Sequence, residues 1–347
     1  MGKPRRAPTA EDVARLAGVS RTTVSLVLNG VVGVRIPEET RRRVREAAAR
    51  LGYRPHAAAR HLVRGRAEVI ALVLRQTPDQ VFADAFLPEV LRGLSRVLRK
   101  AGFHLLIFPL SPDHPPEETV ALLQERRVDG LILSGPRFED REWLARWSQE
   151  TPVVLLGRLS DTPIPSVDVD NVQAAAEAVR HLIRLGHRRI GLITNAPLSY
   201  TASYERWLGY RQALEEAGLP YEETWVAFGA FTPASGVAAM EQLLRLPHPP
   251  TAVFVASDVV AFGALQAIRR RGLRIPQDIA IVGFDDVPLS AYVDPPLTTV
   301  HLPAEELGLH AGHLLLRWIE EGRPPTQEIR LATGLIIRQS CGAGGGA

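Results

Sequence analysis

The chain has 347 residues, of which 46% are hydrophobic and 23% charged, and its 41 basic and 38 acidic side chains give a net charge of +3. This length suffices for two or three domains with separate cores, and no apolar run approaches the roughly 20 residues of a membrane span. The single cysteine, Cys341, excludes an intramolecular disulfide and a cysteine-based metal cluster. The basic N-terminus leads into a polar stretch rather than a signal peptide, so we expect a cytoplasmic protein.

The charges are unevenly distributed along the chain. Residues 1–66, which we call the head, carry 15 basic and 5 acidic side chains, whereas the remainder, the body, carries 26 and 33. The head therefore has a net charge of +10 and the body of −7. This asymmetry predicts a nucleic-acid-binding domain attached to a domain with a different task.

The first part of the head has the pattern of two short helices joined by a tight turn. Thr9 and Asp12 are spaced as a capping box, Gly18 permits the turn, and Ser20 can cap the second helix. A helix-turn-helix motif presents the N-terminal half of its second helix to base edges in the major groove. The residues that we expect to contact DNA from this helix and its end are Arg21, Thr22, Thr23, Ser25, Leu26 and Asn29.

A third helix is predicted from Pro37, which suits a first turn, to Gly52, which can end the helix. Four arginines lie on it between positions 41 and 45. They form either a solvated charged face or a set of phosphate contacts, and the neighbouring helix-turn-helix favours phosphate contact. We therefore add Arg41, Arg43 and Tyr53 to the expected DNA interface.

The head resembles the lactose-repressor and galactose-repressor (LacI/GalR) family of bacterial transcription regulators. The resemblance lies in Asp12-Val-Ala-Arg-Leu-Ala-Gly-Val-Ser20, Thr23-Val-Ser25, Leu28-Asn-Gly30, Arg43-Val44, Leu51-Gly-Tyr-Arg-Pro55 and Ala59-Arg-His-Leu62. It implies a helix-turn-helix domain over residues 1–54 and a hinge over residues 55–66 that becomes helical on operator DNA. In the hinge, Ala59 and Arg60 would contact DNA and Leu62 would wedge between base steps in the minor groove. The alternative for Leu62 is an apolar linker residue that packs on the body.

Two positions depart from the family pattern. Leu26 stands where a polar or basic base-reading residue is more usual, and leucine can touch a thymine methyl but cannot pair with guanine. Direct readout would then depend on Arg21 and Thr22. His56 replaces the asparagine that usually follows the hinge proline, so the sequence does not identify the residue that caps the hinge helix.

The body has the pattern of alternating buried strands and helices. Strands are predicted at residues 69–74, 103–108, 130–133, 153–156, 189–194, 252–256 and 279–283. Helices are predicted at residues 87–101, 172–185, 204–217, 235–246 and 261–271. Repeated units of this kind indicate a doubly wound, mostly parallel α/β fold.

These units are too many for one sheet, and proline-containing breaks interrupt them at residues 163–167, 294–300 and 322–326. Three breaks predict two lobes joined by three crossings. We expect an N-lobe over residues 67–164 and 298–321 and a C-lobe over residues 165–296 and 324–340. Residues 341–347 are expected to form a disordered tail, so the effector-binding and dimerisation domain would span residues 67–340.

The body resembles the same family through Leu185-Gly-His-Arg-Arg-Ile190, Arg206-Trp-Leu-Gly-Tyr210 and Gly283-Phe-Asp-Asp286, among other stretches. The resemblance implies a periplasmic-binding-protein-like fold that holds a small-molecule effector between its lobes. Because ligands of open α/β sheets bind at the carboxyl ends of strands, the candidate contacts are Phe86, Arg158, Asp170, Arg206, Ser257, Asp258 and Asp285. Each is alternatively a helix cap or part of a structural salt bridge. Acidic groups beside an arginine and aromatic rings suit a sugar or a nucleobase, and we favour a sugar.

An enzyme and a solute-binding protein are the competing classes. No phosphate-binding loop, nucleophile elbow, zinc-binding His-Glu-x-x-His or dinucleotide fingerprint occurs in the sequence, and His187 is better read as structural than as a general base. The absent signal peptide and the head's charge of +10 argue against a solute-binding protein, which would also retain its function without the head. We therefore predict a repressor, without cofactor, metal or membrane partner, that binds a near-palindromic operator as a homodimer.

Overall fold

The computed structural model describes residues 8–29, 34–53, 66–111, 125, 127–149 and 151–343. The chain divides into two compact units, Met1–Ala67 and Glu68–Ala347, which correspond to the head and the body. The hinge positions His56, Ala59, Arg60 and Leu62 lie outside the described residues. Within the described ranges, no helix is both long enough and apolar enough to cross a bilayer.

The head contains three helices, α1 (Ala10–Ala17), α2 (Arg21–Leu28) and α3 (Glu38–Leu51). The predicted caps are confirmed. Thr9 and Asp12 exchange hydrogen bonds as a capping box, and the Ser20 side chain accepts from the Thr23 backbone. Gly18 adopts a left-handed φ of 67°, which ends α1 and permits the turn into α2.

One valine from each helix forms the centre of the head. Val13, Val24 and Val44 are at most 1% exposed and pack with alanines from α1 and α3. The small alanine side chains let the helices approach closely. Because Val24 anchors the inner side of α2, the first residues of that helix face solvent.

The body contains two six-stranded sheets with strand orders β11-β5-β4-β3-β1-β2 and β12-β10-β9-β8-β6-β7. The strands are β1 (Val69–Leu74), β2 (His104–Pro109), β3 (Gly130–Ser134), β4 (Val153–Leu156), β5 (Ser166–Val169), β6 (Ile190–Thr194), β7 (Val226–Phe228), β8 (Ala252–Val255), β9 (Ala280–Asp285), β10 (Thr298–His301), β11 (Glu328–Leu331) and β12 (Gly334–Ile336). Adjacent strands are parallel except β10 and β12. The described helices are α4 (Pro78–Ala83), α5 (Leu87–Lys100), α6 (Arg141–Trp147), α7 (Asn171–Arg184), α8 (Thr201–Glu216), α9 (Pro233–Leu244), α10 (Asp258–Arg270) and α11 (Ala304–Glu321).

The predicted two-lobed α/β architecture is confirmed, and each strand and helix predicted for the body is present with ends shifted by three residues or fewer. The prediction missed the short strands β5, β7, β10 and β11 and the helices α4, α6 and α11. The strand that the family resemblance implies at residues 335–340 is present as the shorter β12. β11 carries alternating charged side chains, so no apolar run marks it.

The predicted lobe boundaries are wrong at three strands. β5 pairs with β4 and β11 pairs with β5, so both belong to the first lobe, whereas β10 pairs with β9 in the second. The chain therefore crosses between lobes after β5, after β10 and between β11 and β12. The prolines that we took for crossings precede strands instead, where a missing N–H is tolerated.

The predicted disordered tail begins too early. Cys341 is 2% exposed, its Sγ lies 3.3 Å from His181 Nε2, and Thr298 Oγ1 donates to it at 3.2 Å. This residue is part of the core of the second lobe. Residues 344–347 lie outside the described part of the chain.

Candidate functional site

The N-terminal end of α2 is the most accessible part of the helix-turn-helix. Arg21 and Thr22 are exposed there, and Leu26 is half-buried one turn further on. Thr23 is half-buried and its hydroxyl lies 2.9 Å from that of the cap residue Ser20. Arg21 and Thr22 are therefore the side chains best placed to reach a ligand along this helix.

The other two predicted DNA contacts of this helix interact with each other. Asn29 is 5% exposed, and its Nδ2 donates to the hydroxyl of half-buried Ser25 at 3.1 Å. This bond joins two successive turns at the end of α2. The pair therefore helps to hold the end of the helix, whether or not it also contacts DNA.

The arginines of α3 have different surroundings. Arg41 donates to the backbone carbonyls of Val34 and Ile36, each at 3.3 Å, and so holds the segment that leads into the helix. Arg43 is exposed and forms no ion pair or hydrogen bond within the described part of the head. Tyr53 is half-buried and packs on the head core. Of the two arginines, Arg43 is therefore the one whose guanidinium is exposed and has no partner among the described residues of the head.

In the body, a cavity of about 60 Å³, which we call the inner cavity, lies between the two lobes. It is lined by residues that follow β1 and β3 in the first lobe and β6, β8 and β9 in the second. It therefore lies at the carboxyl ends of both sheets, where ligands of this fold class bind. Four of the seven predicted contacts line it, namely Phe86, Arg206, Ser257 and Asp285.

Arg206 occupies a fixed position in the wall of the inner cavity. Its Nε donates to Asn171 Oδ1 at 3.0 Å and its Nη1 donates to the Ala256 carbonyl at 2.7 Å. The guanidinium lies 3.8 Å from the centre of the Phe284 ring and 3.7 Å from Asp285 Oδ1. Hydrogen bonds, a cation–π contact and an ion pair thus orient a charged group that is 6% exposed.

Asp285 closes strand β9 in a backbone conformation that is unusual for its residue type. Its φ is 118°, in the region that favours glycine, and such strain is often found at binding sites. Burial raises the pKa of its carboxyl well above the usual value, while the nearby Arg206 opposes the rise. The Ser257 side chain donates a hydrogen bond to it. These partners hold a carboxyl group at the boundary of the two lobes.

Asp258 is not part of the cavity wall. Its carboxylate accepts from the hydroxyls of Ser290 and Thr299, each at 2.6 Å, and from the Val287 backbone at 3.1 Å. Burial raises its pKa to about 7. Asp258 therefore ties the start of α10 to the loop after β9 and to β10, which is a structural role.

Two further predicted contacts lie elsewhere on the lobe boundary. Asp170 caps α7 by accepting from the Gln173 backbone at 3.0 Å. Arg158 lies 3.6 Å from Glu205 of α8 and 3.2 Å from Glu328 of β11. Arg158 therefore links the lobes by ion pairs and does not line the inner cavity.

The sequence reasoning missed several cavity residues. Gln76, Asp84 and Asn195 line the inner cavity, together with the aromatic rings of Tyr200 and Phe231. Gln76 follows β1 by two residues and Asn195 follows β6 by one, so the rule that selected Ser257 would also have selected them. Asp84 and Phe231 lie farther from a strand end and carry no such signal.

A second cavity of about 490 Å³, the outer cavity, adjoins the first through the shared residues Phe86, Asp285 and Leu302. Its wall includes His301, whose Nδ1 lies 3.0 Å from Asp286 Oδ2. A larger cavity of about 780 Å³ opens beside His187, which precedes β6. That cavity is at the amino ends of the strands, so the smaller pair is the better candidate for a ligand site.

The cleft is closed by contacts between the segments that follow β3 and β6. The Pro136 carbonyl accepts from the Thr201 backbone and hydroxyl at 3.2 and 3.1 Å, and the Phe138 backbone donates to the Ser199 carbonyl at 3.1 Å. The Phe138 ring also meets the Tyr204 ring edge-on. A ligand that is larger than the inner cavity has to extend into the outer cavity or separate these segments.

Comparison with known sequences identifies both units. Residues 9–56 match the family of bacterial regulatory proteins of the lacI family, and residues 179–341 match the periplasmic binding protein-like domain. The HTH-type transcriptional regulator CelR of Thermobifida fusca is 37% identical over 339 residues, 97% of this chain and 99% of that protein. The HTH-type transcriptional repressor CytR of Escherichia coli K12 is 36% identical over 340 residues, 97% of each protein.

Solved structures agree with these matches. A complex of the transcriptional regulator CelR with cellobiose has a TM-score of 0.73 and 35% identity, and the match covers 96% of this chain and 99% of that one. A lac repressor dimer bound to operator and the anti-inducer ONPF has a TM-score of 0.83 and 28% identity, with 97% and 99% covered. The predicted family is thus confirmed, and the chain belongs to the lacI family of bacterial regulatory proteins.

Proposed function

We propose that the protein is a transcriptional repressor that binds an operator as a dimer and responds to a small molecule held between the lobes of its body. The observation that carries the proposal is the inner cavity. Arg206 and Asp285 of the second lobe line it together with residues of the first lobe, and contacts between the lobes close the cleft around it. The basic head supplies the DNA-binding part, and relatives named as repressors support the direction of control. The proposal includes no catalytic step and places the protein in the cytoplasm with the chromosome.

In the head, Arg21 and Thr22 read base edges, Arg43 contacts phosphate, and Leu26 contacts a thymine methyl. The hinge contributes Leu62 as the wedge in the minor groove, by its match to the family pattern. A side chain that pairs with a base edge contributes about 1–3 kcal/mol of discrimination, so Arg21→Ala should flatten the preference among operator variants.

The test selects preferred fragments from random genomic DNA with the full-length protein and measures their affinity by fluorescence anisotropy. Arg21→Ala and Leu62→Ala should each weaken the preferred fragment more than random DNA. The matched control is Arg245→Ala, which removes an exposed arginine from the body and should change neither affinity. A wild-type protein that enriches no fragment would refute DNA recognition altogether.

The effector is a sugar or a related polyhydroxylated molecule. Carboxyl and amide oxygens in the cavity wall suit hydroxyl donors, and one relative forms a complex with cellobiose. Because effector and operator act on one equilibrium, a bound effector must shift operator affinity, and operator must shift effector affinity by the same factor. A thermal-shift screen of sugars and nucleosides followed by operator titration at saturating ligand tests this, and unchanged operator affinity would contradict the control mechanism.

The dimer is formed by the body. Leu289 and Tyr292, which follow β9, are 53% and 83% exposed, and apolar surface of this kind is often covered by a partner. Two bodies held together would place two heads on half-sites one turn of the double helix apart. Sedimentation analysis should show a dimer for the wild type and a shift towards monomer for Tyr292→Asp.

The proposal assigns operator binding to the head and ligand binding to the body. Deletion of residues 1–66 tests this division. The protein without its head should keep ligand binding and lose operator binding, and operator binding that survives the deletion would contradict the assignment.

A further inference from the structure

The polar groups that line the inner cavity include acceptors that lack donors. Gln76 in the first lobe and Asn195 in the second are 7% and 4% exposed, and neither side-chain oxygen has a hydrogen-bond partner among the described residues. The Gln76 amide also donates to Asp84, which orients it and leaves its oxygen as the unused group. A buried acceptor without a donor is unfavourable, and a ligand with N–H or O–H groups relieves this.

The charges around the same cavity are unbalanced. Among the described lining residues, the charged side chains are Asp84, Asp285 and Arg206. Arg206 lies 3.7 Å from Asp285 and neutralises it. Asp84 accepts from the Phe86 backbone at 2.9 Å and from the Leu87 backbone, and burial raises the pKa of its carboxyl, but it has no ion-pair partner anywhere in the described ranges. One carboxylate therefore faces the cavity without a cation.

We propose that the effector places a protonated primary amine in the inner cavity. An ammonium group has three N–H donors for these acceptors and the positive charge that Asp84 lacks, whereas a hydroxyl has one donor and no charge. The inner cavity, about 60 Å³, is much smaller than the outer cavity, so it suits the amine end of a ligand. The remainder of the ligand occupies the outer cavity of about 490 Å³.

This inference rests on the proposed function, because it names the chemical class of the effector in the same cleft. The class is a polyhydroxylated or linear primary amine, such as an amino sugar. Neutral sugars would bind more weakly because they leave Asp84 without a counter-ion.

The experiment compares amines with the alcohols that differ from them only at the amino group. The pairs are glucosamine and glucose, galactosamine and galactose, mannosamine and mannose, and putrescine and 1,4-butanediol. Dissociation constants are measured by calorimetry with the full-length protein at pH 7.5. In at least one pair the amine should bind about tenfold more tightly, the difference expected of a charge-assisted hydrogen bond.

Asp84→Asn keeps the shape and the backbone hydrogen bond of that side chain and should abolish the preference. The matched control Asp79→Asn removes an exposed carboxylate of α4 outside both cavity walls and should retain it. Melting temperatures without ligand establish that both variants fold. The inference is overturned if no amine binds better than its alcohol, or if the preference survives in Asp84→Asn.

The operator titration separates this failure from failure of the proposed function. If a neutral sugar shifts operator affinity and no amine does, the protein is an effector-controlled repressor and the amine inference alone is wrong. If no ligand of either kind shifts operator affinity and no fragment is enriched, the proposed function itself fails.

Discussion

Replacing Arg206 by methionine tests whether the ion pair in the cleft holds the body together. Methionine keeps most of the length of the side chain and removes the charge. The substitution breaks the contact with Asp285 at 3.7 Å and leaves the Ala256 carbonyl and Asn171 without their donor. An unpaired buried charge is then left at Asp285, which has to take up a proton or remain destabilised.

The magnitude follows from the distance and the burial. Two unit charges 3.7 Å apart attract by about 4.5 kcal/mol at an effective dielectric constant of about 20, and this is an upper limit because burial raises the pKa of Asp285. Removal of one partner of a buried pair is expected to reduce the free energy of unfolding by about 3–5 kcal/mol. The double variant with Asp285→Asn should be more stable than the sum of the single changes predicts, with a coupling of about 1–3 kcal/mol.

Urea unfolding followed by tryptophan fluorescence is the appropriate assay, because all five tryptophans lie in the body and the signal reports that unit. Arg245→Met, at a side chain that is 72% exposed, serves as the control and should change stability by less than about 0.5 kcal/mol. Additive effects of Arg206→Met and Asp285→Asn, with a coupling below about 0.5 kcal/mol, would refute the reasoning.

Three further predictions concern caps, protonation and packing. Thr9→Ala removes the capping box of α1 and should lower the stability of that helix by about 1 kcal/mol, measured by hydrogen exchange of its amides. Burial raises the pKa of Asp168 to about 7, so the folded state holds a proton that the unfolded chain loses above its lower pKa. Stability should then fall as pH rises from about 4 to 7, by up to about 1.4 kcal/mol per pH unit, and melting curves of Asp168→Asn should show a shallower fall. Gly209→Ala puts a methyl group against the Val172 carbonyl and should cost about 1–3 kcal/mol in urea unfolding, whereas Gly334→Ala meets open space and should cost much less.

The sequence was sufficient for elements whose formation depends on local chemistry. The caps at Thr9 and Ser20 need only neighbouring backbone groups, and the long apolar runs of β1 and β9 need burial on both faces. Such signals lie within a few residues of the structure that they specify. They therefore gave the correct elements and the correct family pattern.

Pairing between distant segments could not be read in the same way. β5 and β10 are four residues each and follow prolines, so they looked like breaks until their partners β4 and β9 were known. Short strands acquire their stability from neighbours that are far away in sequence. This is why the lobe boundaries were wrong although the number of crossings was right.

The site shows the same limit. Asp258 and Asp285 both lie at the carboxyl end of a strand, and the sequence treats them alike. Their roles differ because Thr299 and Ser290, 41 and 32 residues from Asp258, supply hydroxyl donors that turn its carboxylate away from the cleft. Only the assembled sheet shows which carboxylate remains available to a ligand.

The order of strands also affects how the protein can fold as it is made. The first lobe needs β11 at the edge of its sheet and α11 against α5, and both come after strands β6 to β10 of the second lobe in the chain. The core strands of the second lobe, β6 to β10, are contiguous by comparison. On the ribosome, the sheet of the lobe that is synthesised first therefore stays half-built, with one edge uncovered, until about a hundred and sixty more residues have emerged and most of the second lobe has been made.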